Sequence, residues 1–224
     1  MKLLLPLLTF CYFLCSCNSS KLDSPTIPPE KISGSIVDGR YYPEDKSFSV
    51  IAESLHYPSI KIIERQSDSL RTIIFESTVG GPAIRYDVFP IEDDKAFINL
   101  CLDADCQKGF LEFFYHKAIS PRFMREGADV LEIASEEIIA KDGWNYHIVI
   151  LKGATSMRFR NLATGEQSED YIGALLSIKG RNLVAISFQK GWTPFKDLAA
   201  AKEELIPKMM HFFDNFSAED LAKL

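Results

Sequence analysis

From residue 33 onward, apolar and polar positions alternate with a period of two in short runs divided by Gly, Pro and Asp, the pattern of strands with one buried face. Ile36 and Val37 lead to the turn pair Asp38-Gly39 and on to Arg40-Tyr41-Tyr42; Pro43-Glu44-Asp45-Lys46 then separates this run from residues 48–52, which predicts a hairpin. Strands are expected at 60–64, 70–76 and 83–89, and in the last of these Ile84, Tyr86 and Val88 alternate with Arg85, Asp87 and Phe89.

The period changes at residues 108–119, where Phe110, Phe113, Phe114 and Ala118 recur at three and four, predicting an amphipathic helix that ends near Ser120-Pro121. After a loop over 122–129, strands are expected at 130–133, 137–140, 144–151, 157–160, 171–178 and 183–188, with turns at Lys141-Asp142-Gly143 and Lys179-Gly180-Arg181-Asn182. These connections are too short for crossover helices, so the strands read as an antiparallel meander. A closing helix over 195–216 carries the stripe Leu198, Ala201, Leu205, Met209, Phe212, Phe213 and Phe216, with Pro207 expected to kink it. The expectation is a single α+β domain over residues 33–224, an antiparallel β-sheet flanked by helices.

The first 16 residues follow a different rule. One Lys precedes an apolar run that is too short to span a bilayer core of about 30 Å, which is the pattern of a signal peptide. Leu14-Cys15-Ser16-Cys17 resembles the lipobox of bacterial lipoproteins, with Cys15 standing where Ala, Ser, Thr or Val is usual. That resemblance implies cleavage before Cys17, a diacylglyceryl group on its thiol and fatty acyl chains such as palmitate holding the protein to one leaflet. Ser and Pro dominate residues 17–32, which read as a tether of about 40 Å if extended. Asn18 is not the Asp that retains lipoproteins at the inner membrane in enteric bacteria, so the periplasmic face of the outer membrane is favoured.

Composition narrows the function classes. The 224 residues hold 25 Lys plus Arg against 31 Asp plus Glu, and 46% are hydrophobic, proportions of a folded domain rather than a disordered or multi-span chain. Loss of residues 1–16 would leave 24 basic and 31 acidic side chains, a net charge of -7. With no run of Lys and Arg, a nucleic-acid partner is not expected. Cys101 and Cys106 are the two cysteines outside the N-terminal segment, and in an exported chain they read as a disulfide closing a small loop. A metal site from Cys101, Asp103, Asp105 and Cys106 lacks the further His or Cys ligands that structural zinc prefers.

The opening hairpin, the block from Lys141-Asp142-Gly143-Trp144-Asn145-Tyr146-His147 through Tyr171-Ile172-Gly173-Ala174-Leu175 to Phe188, and the final helix together resemble the PsbP-like fold, an antiparallel sheet sandwiched by helices. Extrinsic photosystem proteins and bacterial envelope lipoproteins of the DcrB-like group share that fold. The resemblance implies a non-catalytic binding or assembly module and supplies no active-site residues.

No phosphate-cradling Gly loop, nucleophile elbow, two-His zinc helix or calcium loop occurs, so neither a cofactor nor a metal is expected. Of the four His, His147 lies in a strand beside Trp144 and Tyr146, where a packed residue is the ordinary outcome, and His116 is one helix turn from Glu112. The carboxylate runs Glu92-Asp93-Asp94 and Glu136-Glu137 read as solvated turns that could host a cation. Gly191-Trp192-Thr193-Pro194 offers the best contact surface: Trp192, with Phe195, Trp144 and Tyr146, is expected to line one end of the sheet. The function expected is a lipid-anchored cell-envelope protein binding a protein partner or an apolar ligand. The alternative is an envelope hydrolase, favoured if His147 clusters with two carboxylates in a deep pocket.

Overall fold

The computed structural model describes residues 34–52, 60–67, 69–77, 82–121, 132–153, 159–160, 167–168, 170–191 and 195–218. In chain order the elements are β1 (Ser35–Val37), β2 (Arg40–Tyr42), β3 (Phe48–Ile51), β4 (Ile60–Ser67), β5 (Leu70–Ser77), β6 (Ala83–Pro90), α1 (Asp94–Leu102), α2 (Ala104–Phe114), a π-helical turn (Tyr115–Ile119), β7 (Glu132–Lys141), β8 (Trp144–Lys152), β9 (Phe159–Arg160), β10 (Gln167–Ser168), β11 (Tyr171–Lys179), β12 (Asn182–Gln189), α3 (Leu198–Asp214) and β13 (Ser217–Ala218).

A seven-stranded antiparallel sheet in the order β4-β5-β6-β12-β11-β8-β7 organises the molecule. Two meanders, β4-β5-β6 and β7-β8-β11-β12, are joined where β6 pairs β12. The chain therefore leaves the middle of the sheet after β6 and re-enters at the far edge as β7. The segment between them carries α1 and α2 over β12, β11 and β8, and Leu100, Leu111, Tyr115 and Ile119 pack there on Val149, Leu151, Ala174, Leu176, Leu183 and Ala185. On the opposite face α3 buries Ala201, Leu205, Met209, Phe212 and Phe213 against Ile73, Phe75, Tyr86, Ile148, Leu175 and Ile186. A small sheet, β1-β2-β3-β13, extends this side, with Phe48 stacked on Phe216 at 5.4 Å.

The local chemistry explains the joints. Asp142 and Gly143 have φ of 53° and 79°, the doubly left-handed geometry of a tight hairpin, and they fix the register Lys141↔Trp144 and Ile138↔His147. Asp93 caps α1 by accepting from the amides of Lys95 (2.8 Å) and Ala96 (3.1 Å), so the acidic run at Glu92-Asp93-Asp94 begins a helix instead of a solvated turn. Asp94 also pairs with Arg181 at 2.6 Å. Asp103 ends α1 and caps α2, accepting from Asp105 N (2.9 Å) and Cys106 N (3.0 Å).

These caps correct the expected disulfide. Cys101 and Cys106 are free thiols on successive helices, Cys101 exposed and Cys106 half-buried against the hairpin core. What joins the helices at this point is the Asp103 capping pattern. Of the two strands expected at 130–133 and 137–140, residues 132–133 and 137–140 lie in one strand, β7, whose ladder shifts at a bulge between Ile133 and Ser135, while 130–131 lie outside the described residues. The helix expected to start at 108 starts at Ala104 and is preceded by α1, which the sequence pattern had not shown. Pro207 lies within α3, which runs unbroken from Leu198 to Asp214. Among the described residues no helix is long and apolar enough to cross a membrane.

Candidate functional site

On β8 the side chains alternate between the two cores: Tyr146, Ile148 and Ile150 face α3, while His147, Val149 and Leu151 lie on the face covered by the helical hairpin. α2 presents Gln107, Leu111, Tyr115 and Ile119 to that face at intervals of four. Four residues overshoot an α-helical turn of about 3.6, and the wider π turn takes up the overshoot, so Ile119 remains buried.

Gln107, only 1% exposed, bridges helix and strand. Its Oε1 accepts the Asn145 backbone N–H, its Nε2 donates to Leu100 O at 3.2 Å, and Asn145 Nδ2 donates to Ala104 O at 2.8 Å. One turn along, Leu111 O faces His147 Nδ1 at 3.4 Å. His147 is fully buried, and its Nε2 lies 2.8 Å from Glu136 Oε1 on β7. His116, on the π turn, brings its own Nε2 to 2.9 Å from the same oxygen. His116 therefore pairs with Glu136 across the fold, beyond the Glu112 contact that helical spacing suggested. The three side chains grade outward: His147 is 0%, Glu136 31% and His116 47% exposed.

Tyr115 stands between the imidazoles, its ring 5.2 Å from each and tilted 79° to both. Its hydroxyl is buried without a hydrogen-bond partner. Burial, and then the Glu136 carboxylate, push the phenol well above its ordinary value, so it stays neutral. The arrangement bridges two imidazoles by one carboxylate. Among the described residues no group of three His, Cys, Asp or Glu side chains is placed to hold a metal ion.

The expected aromatic surface is distributed differently. Tyr146 is 6% exposed and packs edge-on to Phe213 at 5.3 Å; Phe195 is 5% exposed and packs on Tyr171 at 6.2 Å. Both are core residues. Trp144 is half-buried at the start of β8 and touches both cores, while Trp192 lies outside the described residues. Exposed large apolar side chains among the described residues are spread over three places: Ile36 and Val37 on β1, Ile133 and Ile139 on β7, and the hairpin, where Ile98 and Leu102 share a side of α1, with Phe113 on α2. Sequence spacing missed the pairing of His116, Glu136 and His147, yet a signal existed. A two-residue turn at Asp142-Gly143 places Ile138 opposite His147, and Glu136 is then the diagonal neighbour on the same face.

No family model matches the chain, and no curated protein matches its sequence. Among solved structures, the solution structure of cyanobacterial PsbP (CyanoP) from Synechocystis sp. PCC 6803 is similar to it. The similarity covers 80% of this chain and 91% of that one, at 11% identity and a TM-score of 0.45. The α+β architecture stands on its own strand order and packing, and a likeness at this level adds nothing about function.

Proposed function

We propose that this protein is a lipid-anchored cell-envelope protein, held through Cys17 and a tether over residues 17–32, whose domain over 33–224 binds a partner protein or an apolar ligand without catalysing a reaction. The observation that carries the reading is the sequence Leu14-Cys15-Ser16-Cys17 placed directly after a short apolar run and before a Ser- and Pro-rich stretch. The periplasmic face of the outer membrane is the favoured site. The exposed apolar side chains Ile98, Leu102 and Phe113 support a binding role, because large apolar groups left in water are a common feature of contact surfaces.

Metabolic labelling with a palmitate analogue, followed by membrane fractionation, tests the anchor. The wild type is expected to carry label and to leave the membrane only with detergent, and Cys17→Ser to lose both properties. A wild type that is unlabelled and soluble overturns the reading.

One observation favours a second reading, an envelope hydrolase: a half-exposed imidazole linked through a carboxylate to a buried one has the parts of an acid–base pair. Hydrolysis of ester or peptide substrates that disappears in His116→Ala, with stability unchanged, would establish it.

A further inference from the structure

β7 is the outer strand of the large sheet, paired through its ladder to β8 alone, and its side chains are half-buried or exposed throughout. Two clamps hold it from opposite faces. On the α3 side, Lys202 Nζ reaches Glu137 Oε1 at 3.0 Å and Ser135 Oγ at 3.3 Å. On the hairpin side, Glu136 Oε1 receives both His147 Nε2 and His116 Nε2. The first clamp uses an ammonium group and the second uses imidazoles, so the two respond differently to protons.

The geometry points to a proton-operated clasp in which His116, Glu136 and His147 fasten the π-turn end of the helical hairpin to the edge strand β7. Each ring nitrogen of His147 faces an oxygen, Nδ1 the Leu111 carbonyl at 3.4 Å and Nε2 the Glu136 carboxylate at 2.8 Å. Only the doubly protonated ring donates to both. Either neutral tautomer turns a lone pair toward one of these oxygens and surrenders the charge on the remaining bond. His116 needs a proton only on Nε2 to donate to Glu136, which its neutral form can supply.

The other groups around the clasp leave His147 as the switching element. On the π turn Tyr115 stays neutral; on β11 the register partner Leu176 is apolar; on β8 the nearest polar neighbour on that face is the uncharged Asn145. Glu112 and Lys117 flank His116 on its own element, and Glu132 and Glu137 flank Glu136 on β7. The clasp is closed while His147 carries both protons and Glu136 is ionised. Removing one His147 proton, or placing one on Glu136, takes the charge out of the bond that joins them.

Hydrogen exchange of the β7 amides, measured on the intact chain at pH 5.5 and 8.5 and corrected for intrinsic exchange, tests this directly, with β11 as the internal reference. In the wild type, protection of β7 relative to β11 is expected to fall about tenfold from pH 5.5 to 8.5, the factor carried by one charge-assisted hydrogen bond. Glu136→Gln and His147→Gln are expected to flatten that pH ratio. Lys202→Met is expected to lower β7 protection at both pH values while leaving the ratio intact. If His147→Gln fails to fold, the more exposed Glu136→Gln carries the test. A flat wild-type ratio, or a ratio that survives Glu136→Gln, overturns the proposal; so does a ratio lost equally in Lys202→Met.

Discussion

The two faces of the seven-stranded sheet solve the same problem, covering strands with helix, by different means. Against α3 the interface is mainly aromatic and aliphatic, with Phe212 meeting Tyr86 at 6.4 Å and Phe188 at 5.6 Å, and the buried Ser177 on that face donates to Asn145 O at 2.7 Å. Under the α1–α2 hairpin a smaller apolar core is interrupted by buried polar groups: Gln107, Asn145 and His147 beneath the helices, with Thr72, Asp87 and Ser187 farther along the same face. Dispersion and area burial suffice on the first face and tolerate approximate partners. On the second, the side chains of Gln107, Asn145 and His147 each meet a specific partner, so these bonds set the hairpin's position in atomic detail. A fold that needed only stability could have filled both faces with Leu and Phe. The polar column is the part of the molecule whose composition stability alone does not explain.

The apolar face should give the largest effect. Phe212→Ala, at a side chain 1% exposed, is expected to lose about 3–5 kcal/mol in urea denaturation through cavity formation. A loss below about 1 kcal/mol would mean the α3 face is not the main core. Gln107→Leu keeps the volume of the side chain but orphans the Asn145 amide and removes the bond to Leu100 O. A loss of about 1–3 kcal/mol is expected from the same measurement, against almost none if the polar column were incidental.

Closeness of packing supplies a smaller effect. A Cβ added at Gly173 would meet Met209 Cε and Sδ at 2.7 Å, where α3 crosses β11. Gly173→Ala is expected to cost about 1 kcal/mol, at the low end for overpacking because a methionine tip can move. Met209→Leu combined with it would show whether that tip is the obstacle, through non-additive stabilities.

The smallest effect concerns pH. Burial raises the Asp170 carboxyl above its ordinary value, only partly offset by the Gln189 side chain, which donates to it at 2.9 Å, and the Tyr171 amide. Because the folded state holds that proton more tightly than the unfolded one, stability is lost as pH rises through the folded value. Asp170→Asn should therefore be the more stable protein at neutral pH, and its advantage should shrink to nothing in acid below the carboxylate range. An advantage that grows in acid would reverse the sign of this account.

Much of the α3 face was legible in the sequence. The stripe Ala201, Leu205, Met209, Phe212, Phe213, Phe216 is buried as its spacing implied, and the alternation of Ile84, Tyr86 and Val88 placed all three in the core beneath the helix. Such periodicity is a property of one segment and needs no knowledge of the partner. The hairpin face was harder to read because its residues take their meaning from other segments. α1 has only Ala96 and Leu100 buried, too few to make a stripe, and its start was hidden in an acidic run that proves to contain a helix cap. Tyr146 and Phe195 looked like surface aromatics because the residues that cover them, Phe213 and Tyr171, are distant in sequence. His116, Glu136 and His147 meet only through the β7–β8 register and the docking of the hairpin, so their relation is tertiary.

The protonation state of one buried side chain, His147, decides how the hairpin face is fastened to β7. Long-range proton–nitrogen correlation NMR of the imidazole nitrogens, recorded at pH 6, reads that state for His147 directly. Two protonated nitrogens on His147, reverting toward a single neutral tautomer in Glu136→Gln, is the predicted result. A neutral His147 in the wild type, with one nitrogen bare beside an oxygen, would contradict the claim that this face is held together by an ionised cluster.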